Sequence, residues 1–480
     1  MACFVLNDRL FMPLETDINQ VDQIISSARK AQSEFEKNGS QRLYDKAAHA
    51  VGWAIMEPAR NKELSELAVS STGLGNVADK ITKNHRKTLG LLRDIEKIKT
   101  FGVIEEDPDK GLTKIARAIG VVGAVVPSTN PIATPANNII NAVKCGNAII
   151  LSPSPKGIVG CERLLGYIHT EFSKAGINSD LVQMITAPGT KDKTQRMLEK
   201  TDLVIVTGSQ NNVRRAYTSG TPAIGVGAGN VTVIIDETSD LIAAAKKIAS
   251  SKTFDNATSC SSENSLIIVD AIYDEFIKAL ALVGGTTLPQ SMENHIIGRL
   301  WEKGNLSRHA IAQDADTLIN ALDLEDHVPK NTKFICIETQ GIGASFPLSG
   351  EKLSRVIALY RARNFDDAMI KSKKMLEHYG AGHSIGIHTN NTDRAKKMAM
   401  TLPTCRVIVN QAHCFATGGS FNNGLPFSLS MGCGSWGGNS IDENLHWKHF
   451  LNITNVVHEI PAVEPLVDDI FADYWSSVGK

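Results

Sequence analysis

From residue 119 to residue 235 the sequence alternates short apolar runs with helical patterns. The runs 119–126 (IGVVGAVV) and 203–206 (LVIV) are almost entirely aliphatic, which is typical of parallel strands buried on both faces. Helical patterns separate the strands and cover 133–144, 157–175, 190–199 and 210–219. Because parallel strands need crossover connections, this alternation predicts an α/β domain whose ligands bind at the carboxyl ends of the strands.

A second unit of the same kind is predicted over residues 236–430. Its expected helices are 241–252, 271–283, 290–303, 309–312, 315–322, 365–377 and 392–401, and its expected strands are 266–269, 333–337, 355–359, 384–388 and 406–409. We therefore predict three parts: residues 1–235, residues 236–430, and a return segment, 431–480. At 480 residues the chain fits about two or three domains.

The flanking segments are predicted to be structural. Residues 17–98 carry apolar residues at helical spacing and indicate a helical layer in which we identify no chemistry. Residues 101–118 are typical of a β-hairpin that turns at 108–111. A strand within 449–460 is suited to pair with this hairpin in a neighbouring subunit, so we expect a homodimer or homotetramer.

Composition excludes several classes of function. A net charge of −1 gives no electrostatic basis for binding nucleic acid or an anionic membrane. No apolar run approaches the roughly 20 residues of a membrane span, and the N-terminus lacks the pattern of a signal peptide. The eight cysteines are scattered without a CxxC pair, so we expect no disulfide framework, no metal site and a cytoplasmic location.

The stretch 252–265 (KTFDNATSCSSENS) contains the strongest chemical signal. It places Cys260 on a small polar connection between a helix and a strand, where a thiol can be exposed beside free backbone N–H groups. We interpret Cys260 as a nucleophile that attacks a carbonyl carbon. The alternative is a buried structural cysteine, because free cysteine is among the most buried residue types.

Glycine-dense segments lie at 225–229, 418–424 and 432–438. Glycine at this density indicates tight turns or a close approach of the backbone to a ligand, although a simple loop crossing also fits. The first segment does not match the G-x-G-x-x-G fingerprint and follows no clear strand, so by itself it is a weak indication of dinucleotide binding.

Taken together, the motifs resemble those of the aldehyde dehydrogenase superfamily, in particular its CoA-acylating branch. The motifs that carry the resemblance are 126–131 (VPSTNP), 207–209 (TGS), 254–263 (FDNATSCSSE), 379–383 (YGAGH), 406–410 (RVIVN) and 432–440 (GCGSWGGNS). The resemblance implies a Rossmann-like cofactor domain, an α/β catalytic domain and a β-arm for oligomerisation. It also implies that Cys260 forms a thiohemiacetal, that NAD or NADP accepts a hydride, and that coenzyme A takes the acyl group.

Specific residues take roles from this resemblance. Asn130 matches the oxyanion-hole asparagine, although a turn residue before proline is the alternative. His383 matches a histidine of the acylating branch, which would relay a proton or contact CoA unless it is simply packed. Gly225 stands where hydrolytic members carry the glutamate that activates water, so the resemblance implies acyl transfer to a thiol.

Cofactor contacts are implied at the strand ends and helix N-termini. The implied residues are Ser128, Thr129, Ser152, Pro153, Thr207, Gly208, Ser209, Gly227 and Glu351. Helix N-termini bind phosphate well, and Ser152 leaves room for a 2′-phosphate, so NAD and NADP both stay open. For Glu351 the alternative is a solvated surface residue.

Residues 410–430 and 131–138 look most like acylating sulfoacetaldehyde dehydrogenases. A sulfonate needs hydrogen-bond donors, and the candidates are Asn137, Asn138, Arg355, His413, Thr417 and Ser420, with Arg406 as a further source of charge. Succinate semialdehyde and short-chain aldehydes are the other substrates considered. A hydrolytic, CoA-independent dehydrogenase and a non-catalytic structural relative are the other functions considered.

Overall fold

Four helices precede the first strand, as the apolar spacing of residues 17–98 predicts. The computed structural model describes residues 12–480, and Cys3 lies outside them. These helices are α1 (Met12–Lys37), α2 (Gln41–Met56), α3 (Pro58–Thr72) and α4 (Val77–Ile95). Helix α4 begins at Asn76, whose side-chain Oδ1 accepts a hydrogen bond from the Asp79 N–H at 2.9 Å and so satisfies one free N–H of the first turn.

The first sheet has five parallel strands in the order β5-β4-β3-β6-β7. Its strands are β3 (Val121–Val126), β4 (Ala148–Pro153), β5 (Val182–Met184), β6 (Leu203–Val206) and β7 (Ala223–Gly225). The connecting helices are α5 (Ala133–Lys144), α6 (Ile158–Ala175), α7 (Lys191–Lys200) and α8 (Gln210–Tyr217). Every residue of β3, β4 and α5 is buried, which explains the apolar runs of the two strands, whereas α5 buries polar residues as well.

The second sheet has seven parallel strands in the order β10-β13-β14-β9-β8-β15-β16. Its strands are β8 (Val231–Ile235), β9 (Glu263–Val269), β10 (Gly285–Leu288), β13 (Phe334–Glu338), β14 (Val356–Ala362), β15 (Ile385–His388) and β16 (Val407–Val409). The helices of this part are α9 (Leu241–Thr253), α10 (Tyr273–Leu282), α11 (Glu293–Leu300), α12 (Ala315–Ala321), α13 (Phe365–His378), α14 (Thr392–Thr401) and α15 (His413–Ala416). A two-stranded ribbon, β11 (Trp301–Glu302) with β12 (Asn305–Leu306), lies at its edge.

A third, antiparallel sheet joins the hairpin to the C-terminal segment. It consists of β1 (Gly102–Asp107), β2 (Leu112–Ala118) and β17 (Leu451–Val457), and helix α16 (Val467–Val478) follows it. Strand β17 pairs with β2 of the same chain, from Leu451 opposite Ala118 to Val457 opposite Leu112. The pairing predicted with a neighbouring subunit's hairpin is therefore made within one chain here.

The α/β prediction is confirmed, with local differences. Strand β8 belongs to the second sheet, so the change of sheet falls between Gly225 and Val231, before the predicted boundary at 235/236. The glycine segment at 225–229 does follow a strand, the short β7. Residues 309–312 form turns instead of a helix, because Ala312 has φ +54° and its N–H donates to Leu353 O at 2.8 Å.

Candidate active site

One cavity of about 610 Å³ lies where the carboxyl ends of the five-stranded sheet meet the loop that carries Cys260. Of the residues predicted as sites, those that line this cavity are Ser128, Thr129, Asn130, Ser152, Pro153, Thr207, Gly208, Ser209, Gly227, Cys260 and Glu351. The structure thus brings together every predicted cofactor contact, the predicted nucleophile and the predicted oxyanion donor. This is the arrangement expected at the strand ends of an open α/β sheet.

The loop before Cys260 has an unusual backbone. Asp255, Asn256 and Ala257 have φ values of 48°, 53° and 59°, a left-handed run that L-residues with a Cβ rarely adopt. Helix α4 and the segment before it help to hold the run. The Asp255 N–H donates to Asp79 Oδ2 at 2.7 Å, and Asn256 Nδ2 donates to Gly75 O at 3.2 Å. Strained backbone of this kind persists only where surrounding contacts fix it.

Cys260 is partly exposed to the cavity, as expected for a nucleophile and unlike a sealed structural cysteine. Its surroundings raise the pKa of the thiol to about 12, first through burial and then through the nearby Glu351 carboxylate. Among the described residues, no backbone partner accepts the Cys260 N–H, so this group is free to donate to an oxygen of a ligand. Gly229 allows the close approach, because a Cβ there would lie 2.7 Å from the Cys260 Cβ.

Asn130 follows strand β3 and lines the same cavity. Its Oδ1 accepts a hydrogen bond from Lys83 Nζ at 2.9 Å. Because Oδ1 is occupied by this bond, the amide Nδ2 remains available as a donor, and it has no acceptor among the described residues. An amide fixed in this way can donate to an oxyanion without carrying charge.

Lysines of α4 connect these two parts of the site, which the sequence analysis missed. Lys83 Nζ also contacts Thr258 Oγ1 at 3.2 Å and the carboxylate of Asp255, and Lys80 Nζ lies 3.0 Å from the same carboxylate oxygen. Both lysines are buried: Lys80 is 4% exposed and Lys83 is 6% exposed. The available signal was a helix with lysines three apart on its inner face, but the same spacing is common on solvated helices.

The structure also provides groups that fit a dinucleotide. Ser209, three residues after β6, caps the N-terminus of helix α8, and Ser209 and Gln210 line the cavity, so the first turn of this helix is available to a phosphate. Ser152 Oγ and Thr194 Oγ1 lie 2.9 Å apart at the end of β4. Glu351 Oε1 is buried and has no partner, which leaves it free to accept from a ligand hydroxyl, and burial raises the pKa of this carboxyl to about 8.

The charge of the cavity wall favours anionic ligands. Its basic residues are Lys83, Arg86, Lys87, Lys191 and Arg215, whereas Glu351 is its single acidic residue among those described. Dinucleotides and coenzyme A both carry phosphate groups, so a wall with this excess of positive charge attracts them.

Histidine 383 does not line the cavity. It is 1% exposed, its Nδ1 lies 2.8 Å from Ser384 Oγ, and its carbonyl accepts from Arg406 Nη1 at 2.9 Å. Burial and then Arg406 lower the pKa of its imidazole to about 3. The position fits the packed histidine that was the alternative, and it does not support a proton relay to the substrate.

The six predicted sulfonate donors also lie outside the cavity wall. Asn137 and Asn138 are buried in helix α5. His413 Nε2 bonds Ser384 Oγ at 2.9 Å, Thr417 Oγ1 donates to His413 O at 2.9 Å, and Ser420 Oγ donates to Asn422 Oδ1 at 2.6 Å. The side chains of His413, Thr417 and Ser420 therefore bond other groups of the protein, whereas those of Asn137 and Asn138 are buried without a hydrogen-bond partner among the described residues; spacing in the sequence reveals neither outcome.

Arg355, the remaining predicted donor, supports the nucleophile loop instead. Its Nη2 donates to Asn256 Oδ1 at 2.5 Å and to Thr253 O at 3.2 Å. Arg355 therefore helps to hold the left-handed run before Cys260 and is not placed to bind a sulfonate in the cavity.

A group of metal-ligand side chains lies outside the cavity. The imidazole Nε2 atoms of His446 and His449 lie 3.1 and 3.4 Å from the carboxylate oxygens of Glu443. These contacts account for the arrangement, and we assign no ion to it. The seven cysteines within residues 12–480 are all free thiols. In the same range, no helix combines the length and apolar character needed to cross a membrane.

Comparison with known proteins gives a consistent result. Residues 12–292 match the model of the aldehyde dehydrogenase family. The chain is 52% identical to the acylating sulfoacetaldehyde dehydrogenase of Cupriavidus necator, with 98% of this chain and 95% of that protein aligned. It is 39% identical to a sulfoacetaldehyde dehydrogenase of Acholeplasma, over 94% and 95% of the two chains. Among solved structures, an acetylating aldehyde dehydrogenase from Geobacillus thermoglucosidasius superimposes with a TM-score of 0.90 at 30% identity, covering 95% of this chain and all of that one.

Proposed function

The chain belongs to the aldehyde dehydrogenase family, and on that premise we propose that it converts sulfoacetaldehyde, CoA and NAD(P)⁺ into sulfoacetyl-CoA and NAD(P)H. The observation that carries this proposal is the cavity in which the Cys260 thiol, the Asn130 amide and the cofactor-binding strand ends meet. The likeness to acylating relatives over nearly the whole chain supports it.

In the proposed reaction Cys260, as thiolate, forms a bond to the carbonyl carbon of the aldehyde. The carbonyl oxygen becomes an oxyanion, which accepts hydrogen bonds from Asn130 Nδ2 and the Cys260 N–H. Nicotinamide, when bound, supplies the acceptor for the hydride that leaves this carbon. Cys260 then holds the acyl group as a thioester until CoA, having lost its thiol proton to solvent, forms the new C–S bond as a thiolate and the bond to cysteine breaks, releasing the Cys260 thiolate.

The same site favours transfer to a thiol over transfer to water. Gly225 occupies the position of the water-activating glutamate in hydrolytic relatives, and a Cβ there would lie 2.5 Å from Val213 Cγ1 and 3.1 Å from the Tyr217 ring. A glutamate at this position would require Val213 and Tyr217 to shift, and Gly225 itself does not line the cavity. Glu351, whose pKa is raised to about 8, is mostly neutral at pH 7 and is then a poor base.

The cofactor is proposed to lie along the five-stranded sheet. Ser209 at the start of α8 would bind the pyrophosphate, Ser152 would face the adenosine ribose, and Glu351 would accept from the nicotinamide ribose. Arg215 and Lys191 line the cavity beside Thr194, with no carboxylate there among the described residues, so this end tolerates a 2′-phosphate.

We also propose that the protein acts as a homo-oligomer in the cytoplasm. The segment after β17 carries many exposed apolar side chains, with Val463 at 91% and Leu466 at 69% exposure. Exposed apolar surface of this kind is typical of contacts between subunits. Light scattering of the full chain beside a chain truncated at residue 460 tests this, since a shared monomeric mass for both would contradict it.

The reaction is tested with purified protein, sulfoacetaldehyde, NAD⁺ or NADP⁺, and CoA. Formation of reduced nicotinamide and of the thioester, followed by absorbance and mass spectrometry, should both require CoA. Acetaldehyde and succinate semialdehyde serve as comparison substrates. Free sulfoacetate formed at full rate without CoA would refute acyl transfer, and equal or better turnover of acetaldehyde would refute the assignment of the substrate.

A further inference from the structure

Helix α4 presents three basic side chains to the cavity that holds Cys260. Lys83, Arg86 and Lys87 are spaced three and four residues apart, which places them on one face of the helix. Lys83 is already committed, because it contacts Asn130, Thr258 and Asp255. The other two are not used by the proposed reaction.

Arg86 and Lys87 have no counterion among the residues that the structure describes. Asp255, the carboxylate that pairs with lysines of this helix, is shared by Lys80 and Lys83. Over the described residues, no carboxylate oxygen lies within 4 Å of the Arg86 guanidinium or the Lys87 ammonium. Lys87 is 6% exposed and donates only to the carbonyl oxygens of Gly418 and Ser428. Because a buried charge without a partner is costly, burial and then Arg86 lower the pKa of Lys87 to about 7, and a ligand anion would favour its charged form.

Arg86 is held in place with donors to spare. Its Nη2 donates to Phe415 O at 2.7 Å and to Gly419 O at 3.1 Å, and its guanidinium lies 5.1 Å from the centre of the Phe415 ring. Its Nε and Nη1 have no acceptor among the described residues. The side chain is therefore fixed by two carbonyl oxygens and an aromatic ring, while the N–H groups of Nε and Nη1 are available to a ligand.

We propose that Arg86, backed by Lys87, is the subsite that binds the sulfonate of the aldehyde and so selects an anionic substrate over a neutral one. The inference rests on the proposed function, because it assigns the group that recognises the substrate of that reaction. In sulfoacetaldehyde a single methylene separates the carbonyl carbon from the sulfur. The sulfonate must then lie in the same cavity as Cys260, where Arg86 is.

The chemistry of the sulfonate fits this subsite. Its three oxygens accept hydrogen bonds and stay unprotonated at any physiological pH, so the anion needs fixed donors and a positive charge. Arg86 supplies both, whereas Asn137, Asn138, His413 and Thr417 lie outside the cavity wall. A phosphate of CoA is the other anion that could reach these donors, and the experiment separates the two.

The test compares Arg86→Met and Arg86→Lys with wild-type protein. Arg93→Met is the matched control: Arg93 is on the same helix and lies 5.0 Å from the centre of the Phe427 ring, which Arg86 also contacts, but it does not line the cavity. For each protein, kcat/KM is measured with sulfoacetaldehyde, succinate semialdehyde and acetaldehyde, together with the KM for CoA. Thermal melting shows whether each variant is folded.

Arg86→Met should lower kcat/KM for sulfoacetaldehyde by about 10- to 100-fold, the scale of lost charge-assisted hydrogen bonds, and leave acetaldehyde nearly unchanged. Arg86→Lys should restore part of the preference, and Arg93→Met should keep all of it. Ethanesulfonate should raise the melting temperature of wild-type protein but not of Arg86→Met, a readout independent of turnover.

Three results would overturn the assignment. The first is an equal loss of kcat/KM in Arg86→Met with charged and neutral aldehydes, and the second is an unchanged preference of that variant for sulfoacetaldehyde. The third is a rise in the KM for CoA without a change in that preference, which would assign Arg86 to a CoA phosphate. The proposed function fails separately, if wild-type protein itself prefers acetaldehyde or needs no CoA.

Discussion

Replacing Glu351 with glutamine should change the reactivity of Cys260 only above about pH 8. The thiol pKa is raised to about 12, first by burial and then by Glu351, while burial raises the pKa of Glu351 itself to about 8. Below pH 8 the carboxyl is mostly protonated and neutral, so it adds little to the thiol pKa. Above pH 8 it ionises and opposes formation of the thiolate.

The size of the effect follows from these values. With a pKa near 12, the thiolate fraction at pH 8 is about 10⁻⁴, since the difference is four units and each unit is tenfold. The alkylation rate of wild-type protein should rise about tenfold per pH unit up to pH 8 and less steeply beyond it. A neighbouring like charge shifts a pKa by about one unit or more, so Glu351→Gln should react at the wild-type rate at pH 7 and about tenfold faster at pH 9.

The assay is alkylation of Cys260 by iodoacetamide without cofactor, followed by peptide mass spectrometry from pH 6 to pH 9.5. All proteins carry Cys414→Ser, because Cys414 lines the same cavity. Glu325→Gln is the control: this glutamate contacts Asn320 and lies outside the cavity. A plateau of the alkylation rate below pH 8 in the wild type would refute the reasoning, and so would equal alkylation rates of the wild type and Glu351→Gln at pH 9.

Three further predictions concern other parts of the site. Asn130→Ala should lower kcat by about 10²–10³ through loss of one oxyanion donor, without a matching loss of thermal stability; an unchanged kcat in steady-state assays would remove Asn130 from that role. Lys83→Met should lower kcat by less than Asn130→Ala does, and it should also lower the unfolding free energy by about 1.5–3 kcal/mol. The stability loss is expected because the hydrogen bonds of Lys83 are lost while Lys80 still pairs with Asp255. Urea denaturation measured beside the kinetics checks this, and an unfolding free energy equal to that of wild-type protein would contradict it. Gly225→Glu should lower the unfolding free energy by about 1–3 kcal/mol through overpacking against Val213. Product analysis without CoA should show no free acid from this variant, and a gain of hydrolysis would show that Val213 moves to make room for the carboxylate.

The α/β framework could be predicted because buried parallel strands and their crossover helices leave a periodic pattern in the sequence. Helix α5, predicted at 133–144, is observed at Ala133–Lys144. Short strands such as β7 and β10 were missed, since three or four residues carry too little periodicity. The domain boundary was placed late because β8 follows the first sheet in sequence but pairs in the second.

The residues of the cavity wall were predicted unevenly for a physical reason. Thr207 and Ser152 were found because the family resemblance implies cofactor contacts at strand ends, and the parallel sheet brings those strand ends to one cavity. The donors of α4 were missed because their partners are distant in sequence, with Lys83 and Asp255 separated by 172 positions. Conversely, His383 and Thr417 lie in the right segments but point into the protein interior, which no pattern of residue types records.

Lys83 spans the boundary between the two sheets, because it bonds Asn130 after β3 and Thr258 before β9. One ammonium group therefore joins the segment that carries the Asn130 amide to the segment that carries the Cys260 thiol, although the two segments belong to different sheets. Movement of one sheet away from the other would break the contacts of Lys83, so the acyl group on Cys260 stays aligned with the Asn130 amide only while the two sheets remain together.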